Sequence, residues 1–239
     1  MTLNSASLYT VTMTRGILIA GNESRLSQAI AAEAAKRVEH YAETFIASRL
    51  SDAPRPAAQE ETEEQERPGL PIQWNPGSPI SSRTLVLAAE NTLGQINEAI
   101  LICAPPSIRR PAAALALADI EIMVNDHIKG WFFLAKELAA VFRSRRSGTL
   151  ALVYSDPGTG GAKDDTVDIL GPAATASFSG FTRSLLACAH HEPYTTMGFY
   201  CTDAGAETGF SSFVFKHLDE ANKRNNGKLH KYGKLSFFK

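Results

Sequence analysis

Short apolar runs alternate with longer amphipathic stretches along most of this chain. Residues 16–20 (Gly-Ile-Leu-Ile-Ala) form a run that stops at Gly21 and predict a buried strand. Leu26, Ala29, Ile30 and Ala34 then recur at helical spacing, predicting a helix over 24–37. Further strands are expected at 44–47, 70–74, 99–103, 149–154, 199–202 and 234–238. Helices are expected at 80–93, 112–144, 173–190 and 210–222, the second of these as two helices or one broken near Asn125. Parallel neighbours need crossover connections, so strands that alternate with helices predict a parallel sheet covered on both faces. The fold class expected is α/β: a Rossmann-like, doubly wound, mostly parallel sheet of about seven strands, in a single domain spanning 1–239.

Two segments stand outside this alternation. Residues 1–14 are polar with short apolar patches and read as an N-terminal extension; they lack the basic start, long apolar run and cleavage site of a signal peptide. Residues 51–68 are acidic and polar with Pro54, Pro56 and Pro68, as expected of a solvated helix or mobile loop.

Composition narrows the setting. The formal net charge is -1, so no global field draws the chain to nucleic acid or an anionic membrane. No run of 18 apolar residues offers a membrane span. Cys103, Cys188 and Cys201 are too scattered for a disulfide framework or zinc site, so a reduced, cytoplasmic setting is expected. His190 and His191 are adjacent on a helix, hence about 100° apart, and have no partners at ligand spacing; no metal is expected. The basic tail (Lys223, Arg224, Lys228, His230, Lys231, Lys234) with Tyr232 and Phe237 reads as a solvated face or subunit contact rather than a nucleic-acid surface.

Several blocks, in order and without large insertions, resemble the short-chain dehydrogenase/reductase family from about Arg15 to the C-terminus. Residues 17–31 (ILIAGNESRLSQAIA) are similar to that family's first strand, glycine turn and helix. Residues 93–105 (LGQINEAILICAP) resemble its fourth strand, and 124–155 the helix and strand that follow. Residues 177–189 (SFSGFTRSLLACA) resemble the helix after its active-site tyrosine, and Asn75 falls where the family places an aspartate near the adenine. The resemblance implies an NAD or NADP cofactor. It also implies a homo-oligomer built on the helices near 112–144 and 173–190, where Trp131, Phe132, Phe133, Leu134, Phe178 and Phe181 cluster.

The family's chemistry is another matter. Its reaction needs a tyrosine acid and, four residues on, a lysine that lowers the phenol pKa. Here Gly171 takes the tyrosine position and Thr175 the lysine position, and no tyrosine in the chain is followed by lysine at the fourth residue. Ser155 stands where the family's carbonyl-polarising serine does, or simply caps a strand. His127 stands where the family has a helix asparagine, or is a structural histidine. The glycine motif of the cofactor turn reads Gly21, Arg25, Ser27, keeping only its first glycine. Arg25 would crowd a pyrophosphate or neutralise it. Arg49, after Ser48, would favour a 2′-phosphate or is a solvated cation. Ala104 and Pro105 close the fourth strand, with Pro105 replacing a glycine. The stretch 203–207 leaves no room for a full substrate lid.

Three functions follow. The first is a catalytically inactive relative, structural or regulatory, that forms oligomers with itself or with an active paralogue such as a ketoacyl reductase, and keeps at most weak nucleotide binding. The second is an atypical NADP-dependent reductase that would have to use Ser155, His127 and Tyr154; strand alternation points Tyr154 away from Ser155. The third is a ligand sensor without turnover.

Overall fold

The computed structural model describes residues 15–21, 24–46, 68–156, 167–220 and 224–233. Seven strands form one sheet: β1 (Ile17–Ala20), β2 (Tyr41–Phe45), β3 (Gly69–Gln73), β4 (Glu98–Cys103), β5 (Thr149–Ser155), β6 (Thr195–Cys201) and β7 (Lys228–Tyr232). Their order is β3-β2-β1-β4-β5-β6-β7, and every pairing is parallel. The chain starts at the centre, winds one way to β3, then crosses back to β4 and out to β7. This is the doubly wound arrangement, with its switch point between β1 and β4.

Six α-helices cover the sheet. On one face lie α2 (Pro79–Leu93), α4 (Gly130–Arg145) and α5 (Leu170–Cys188), over a core that includes Trp74, Trp131, Phe142 and Phe178. On the other lie α1 (Arg25–Ala35) and α6 (Glu207–Asp219), over Ile30, Phe199, Phe210 and Phe215. Strand alternation divides the layers: Leu18 and Ala20 enter the first core, Ile17 and Ile19 the second. Both faces of β1, β4 and β5 are buried, which explains their unbroken apolar runs.

The helix over 117–145 is continuous but not uniform. α3 (Leu117–Val124) passes through a π-turn at Asn125–Lys129 into α4, which is the break expected near Asn125. α4 ends at Arg146, whose backbone is left-handed (φ 57°), with the Arg146 N–H on the Arg143 carbonyl and the Ser147 N–H on that of Phe142. Gly148 (φ 129°) follows; a Cβ there would lie 2.3 Å from the Phe142 ring.

Two strand positions differ from the sequence expectation. β2 spans Tyr41–Phe45 rather than 44–47, and β6 begins at Thr195 rather than Phe199. The last described strand is β7 at Lys228–Tyr232, while 234–238 lies outside the described residues, as do 1–14 and nearly all of 51–68. In β6, Thr195, Thr196 and Gly198 interrupt the apolar signal. Gly198 is small because Leu229 and Thr182 press on it, at 2.8 and 2.9 Å from where its Cβ would be. β7 is an edge strand, and its lysines are the usual polar guard of such an edge.

Charged side chains knit the amino ends of the strands. Arg15 forks onto Glu98 at 2.7 and 2.9 Å and reaches Asp219 at 2.6 Å. Arg37 pairs with Asp219 at 2.9 Å and with Glu33 at 2.7 Å. Glu33 also takes Lys36 at 2.7 Å and the Ser212 hydroxyl at 2.9 Å. Lys36 first, with Arg37 and Ser212, holds the Glu33 carboxyl at about 2 against the opposing effect of burial. The network joins α1, α6 and β4.

Candidate functional site

A cleft of about 260 Å³ opens at the carboxyl ends of β4, β5 and β6, between the first turns of α1 and α6. This is where open parallel sheets place their ligands. Arg25, Ala104 and Ser155 line it, with Ser24, Pro105, Cys201, Asp203 and Glu207. Three of the candidate positions thus share one cleft. Arg25 is exposed and is the only cation among the described residues lining it; Asp203 and Glu207 add two carboxylates to the lining. Burial, with those two carboxylates, pushes the Cys201 thiol up, although its Sγ–H donates to the Asp203 carbonyl at 3.3 Å. A raised thiol pKa makes a poor nucleophile.

The turn after β1 is stitched from behind. Gly21 donates its N–H to Thr44 Oγ1 at 3.1 Å, and that hydroxyl donates back to the Gly21 carbonyl at 3.0 Å. A side chain at Gly21 would meet Ser27 Oγ at 3.0 Å and Ile102 Cβ at 3.2 Å, so the retained glycine is a packing requirement. Ser27 is buried. Its N–H caps onto Ser24 Oγ at 3.1 Å, and the two hydroxyls lie 2.9 Å apart. Backbone donors that a diphosphate would use at a helix N-terminus are therefore partly spent on Ser24 and Thr44. With two carboxylates and one arginine in its lining, the described part of the cleft does not suit the diphosphate of a dinucleotide.

The other candidates lie elsewhere. Gly171 and Thr175 are on the buried side of α5. Gly171 donates its N–H to Asp168 Oδ1 at 3.0 Å, and a Cβ at Gly171 would sit 2.6 Å from Asp168 Oδ2. A side chain at 171 would therefore need the Asp168 carboxylate to swing aside. His127 is 1% exposed within the π-turn, which packs against α5, so its ring does not open onto the cleft. Tyr154 faces the α5 side, its hydroxyl 3.0 Å from Ser179 Oγ and its ring in the core with Phe178. It points away from Ser155, as alternation requires, and burial pushes its phenol further up despite Ser179. Asn75 is exposed after β3 and serves the turn into α2: its Oδ1 accepts from Gly77 at 3.1 Å, and its N–H donates to Ser81 Oγ at 2.8 Å. Arg49 lies outside the described residues.

Thr44, Asp203 and Glu207 carry no motif in the sequence. A polar residue among apolar ones in β2 was the one available sign of Thr44. The short connection from β6 to α6 was that of the two carboxylates. Among the described residues, no group of three histidines, cysteines or carboxylates could hold a metal, and no helix is long and apolar enough to cross a membrane.

No protein-family model matches the sequence, and no curated protein matches it. Solved structures do match the fold. A short-chain dehydrogenase from Bacillus anthracis superposes with a TM-score of 0.68 at 14% identity, covering 92% of this chain and 95% of that one. Serine dehydrogenase from Escherichia coli gives 0.67 at 14% identity over 91% and 96%. An NADH-dependent reductase complexed with NAD gives 0.66 at 11% identity over 92% and 95%. The chain therefore has the fold of the short-chain dehydrogenases/reductases along nearly its whole described length.

Proposed function

We propose that this chain is a catalytically inactive relative of the short-chain reductases that acts as a structural or regulatory oligomer. The observation that carries this reading is on α5. The positions that should hold the acid and its lysine are Gly171 and Thr175, both buried, with the Asp168 carboxylate against Gly171. Ser155 keeps its place in the cleft without a proton donor beside it: among the described lining residues there is no tyrosine, lysine or histidine. A carbonyl polarised at Ser155 would gain no proton at neutral pH.

The exposed apolar surface supports assembly. Leu117 (70% exposed), Ile122, Val124 and Phe132 (50%) lie along the helix over 117–145, and Val167 and Ile169 precede α5. The Phe132 ring packs 4.6 Å from that of Phe181, joining the outer faces of α4 and α5. Exposed large apolar side chains along these helices suit a buried contact. The partner is a second copy of this chain, or an active short-chain reductase using the same helices.

Two measurements test this. The full chain, mixed with NADH or NADPH and a panel of carbonyl compounds including ketoacyl thioesters, should oxidise neither cofactor above the buffer rate. Light scattering after size exclusion should show a dimer or tetramer, and Phe132→Asp should shift it to monomer with the fold intact. Turnover abolished by Ser155→Ala would overturn the inactive reading, and a monomeric wild type would overturn self-assembly.

A further inference from the structure

A second cleft, of about 540 Å³, lies at the opposite end of the sheet, where α4 and α5 hand over to β5 and β6. Arg146, His190, Glu192, Tyr194, Thr195 and Asn226 line it. The position of Arg146 is unusual. It ends α4 in the left-handed region at φ 57°, the one non-glycine residue with positive φ among those described. Glycine is the stable choice at such a helix end, because a Cβ there crowds the backbone. The chain instead places its longest cation at this point, exposed, with no ion pair or side-chain hydrogen bond among the described residues.

The neighbouring charges have already been settled. Glu192 has its two oxygens taken by the Arg143 fork at 2.5 and 3.0 Å. Arg145 is paired with Glu90 and donates to the Ile96 carbonyl at 3.2 Å. Asn226 is a fixed brace, accepting from the Thr196 N–H at 2.8 Å and donating to the Ala189 carbonyl at 3.0 Å. Glu192 is thus neutralised, and Arg146 is the spare charge. The remaining lining side chains, His190, Tyr194 and Thr195, are hydrogen-bonding groups on a rigid rim. A guanidinium offers a two-pronged donor to an oxyanion, and phosphate has further oxygens for hydroxyl and imidazole groups that a carboxylate lacks.

The geometry points to this cleft as a binding site for a small soluble phosphate ester, held chiefly by Arg146. A backbone conformation disfavoured for arginine is kept where the side chain serves a ligand. The site is independent of the cleft at the carboxyl ends of the strands and of any reading of its chemistry.

The test exploits the conflict between stability and binding. The full chain is titrated with inorganic phosphate at constant ionic strength, set with chloride, and followed by melting temperature and by phosphorus NMR line width. Wild type should show saturable binding. Arg146→Gly should melt higher by roughly 2–4 °C, because the left-handed position is relieved, yet bind phosphate at least tenfold more weakly. Arg25→Ala, at the other cleft, should bind as wild type does. No saturable binding by wild type at tens of millimolar overturns the proposal. So does undiminished binding by Arg146→Gly, or loss of binding in Arg25→Ala.

Discussion

At the carboxyl ends of the strands, the positions that resemble the family's cofactor turn and catalytic pair hold Arg25, Ser27, Gly171 and Thr175, which the proposed reading takes as replacements of the reactive groups. At the amino ends, Glu33, Glu98 and Asp219, among the described residues around α1, α6 and β4, each hold at least one arginine. The contrast separates two kinds of constraint. The amino end maintains the architecture, whereas the carboxyl end would maintain a reaction, and on the reading proposed above only the first kind is intact. Even the residues kept near the cleft serve packing: Gly21 is held by Thr44 and Ile102, and Ser27 caps its own helix. The fold can outlast its chemistry because the two depend on different residues.

That contrast can be broken by mutation, with the largest effects expected at the amino end. Glu98→Ala removes two charged hydrogen bonds and leaves Arg15 only Asp219, and should cost about 2–3 kcal/mol in urea unfolding; a loss under 0.5 kcal/mol would show the network to be ornamental.

Acid should act next. The Glu33 pKa is about 2 in the folded chain, below its ordinary value of 4.5, so its contribution is complete above 4.5 and is lost as pH falls toward 2. The His230 pKa is lowered from 6.5 to about 4 by burial, then by His217 and Lys228. Its neutral form is favoured in the fold, so that contribution is complete above 6.5 and is lost as pH falls to 4. Melting temperature should therefore drop in two stages below pH 6.5. Glu33→Gln should cost roughly 1–2 kcal/mol at pH 7 and flatten only the lower stage.

Smaller again is Thr44→Val, which removes both bonds to Gly21 and should cost about 1–1.5 kcal/mol by thermal melt. Smallest is Ser155→Ala at the other end of the sheet, expected within 0.5 kcal/mol of wild type. A larger penalty there would mean the serine has a structural partner to satisfy.

Much of the fold was legible in the sequence. Fully buried strands such as β4 and β5 announce themselves as continuous apolar runs, and the π-turn at Asn125–Lys129 falls where the long helical pattern faltered. β2 and β6 were misplaced where long-range packing decides the strand, as with Gly198 against Leu229, and the lysine-rich edge strand β7 carried no apolar signal to read. The sequence also shows that no tyrosine is followed by lysine at the fourth residue, on which the proposed inactivity rests. What spacing could not give was the way distant residues meet. Thr44 reaches from β2 to Gly21 after the neighbouring β1, and Asp203 and Glu207 line the same cleft as Arg25. These are contacts set by topology, and no local pattern encodes them. His127 looked like a replacement for a catalytic asparagine because its position in the helix was right; its burial in the π-turn was not visible.

The central claim is that the carboxyl-end cleft has lost its dinucleotide chemistry while the fold persists. Titration of the full chain with NADH and NADPH, read by cofactor fluorescence and melting temperature, tests it most directly. A ligand present at 100 times its dissociation constant stabilises the folded state by about 2.7 kcal/mol, a shift of several degrees. The account predicts no fluorescence change and no shift with either cofactor at millimolar concentration. A saturable shift with either one, strengthened by Asp203→Ala, would contradict it.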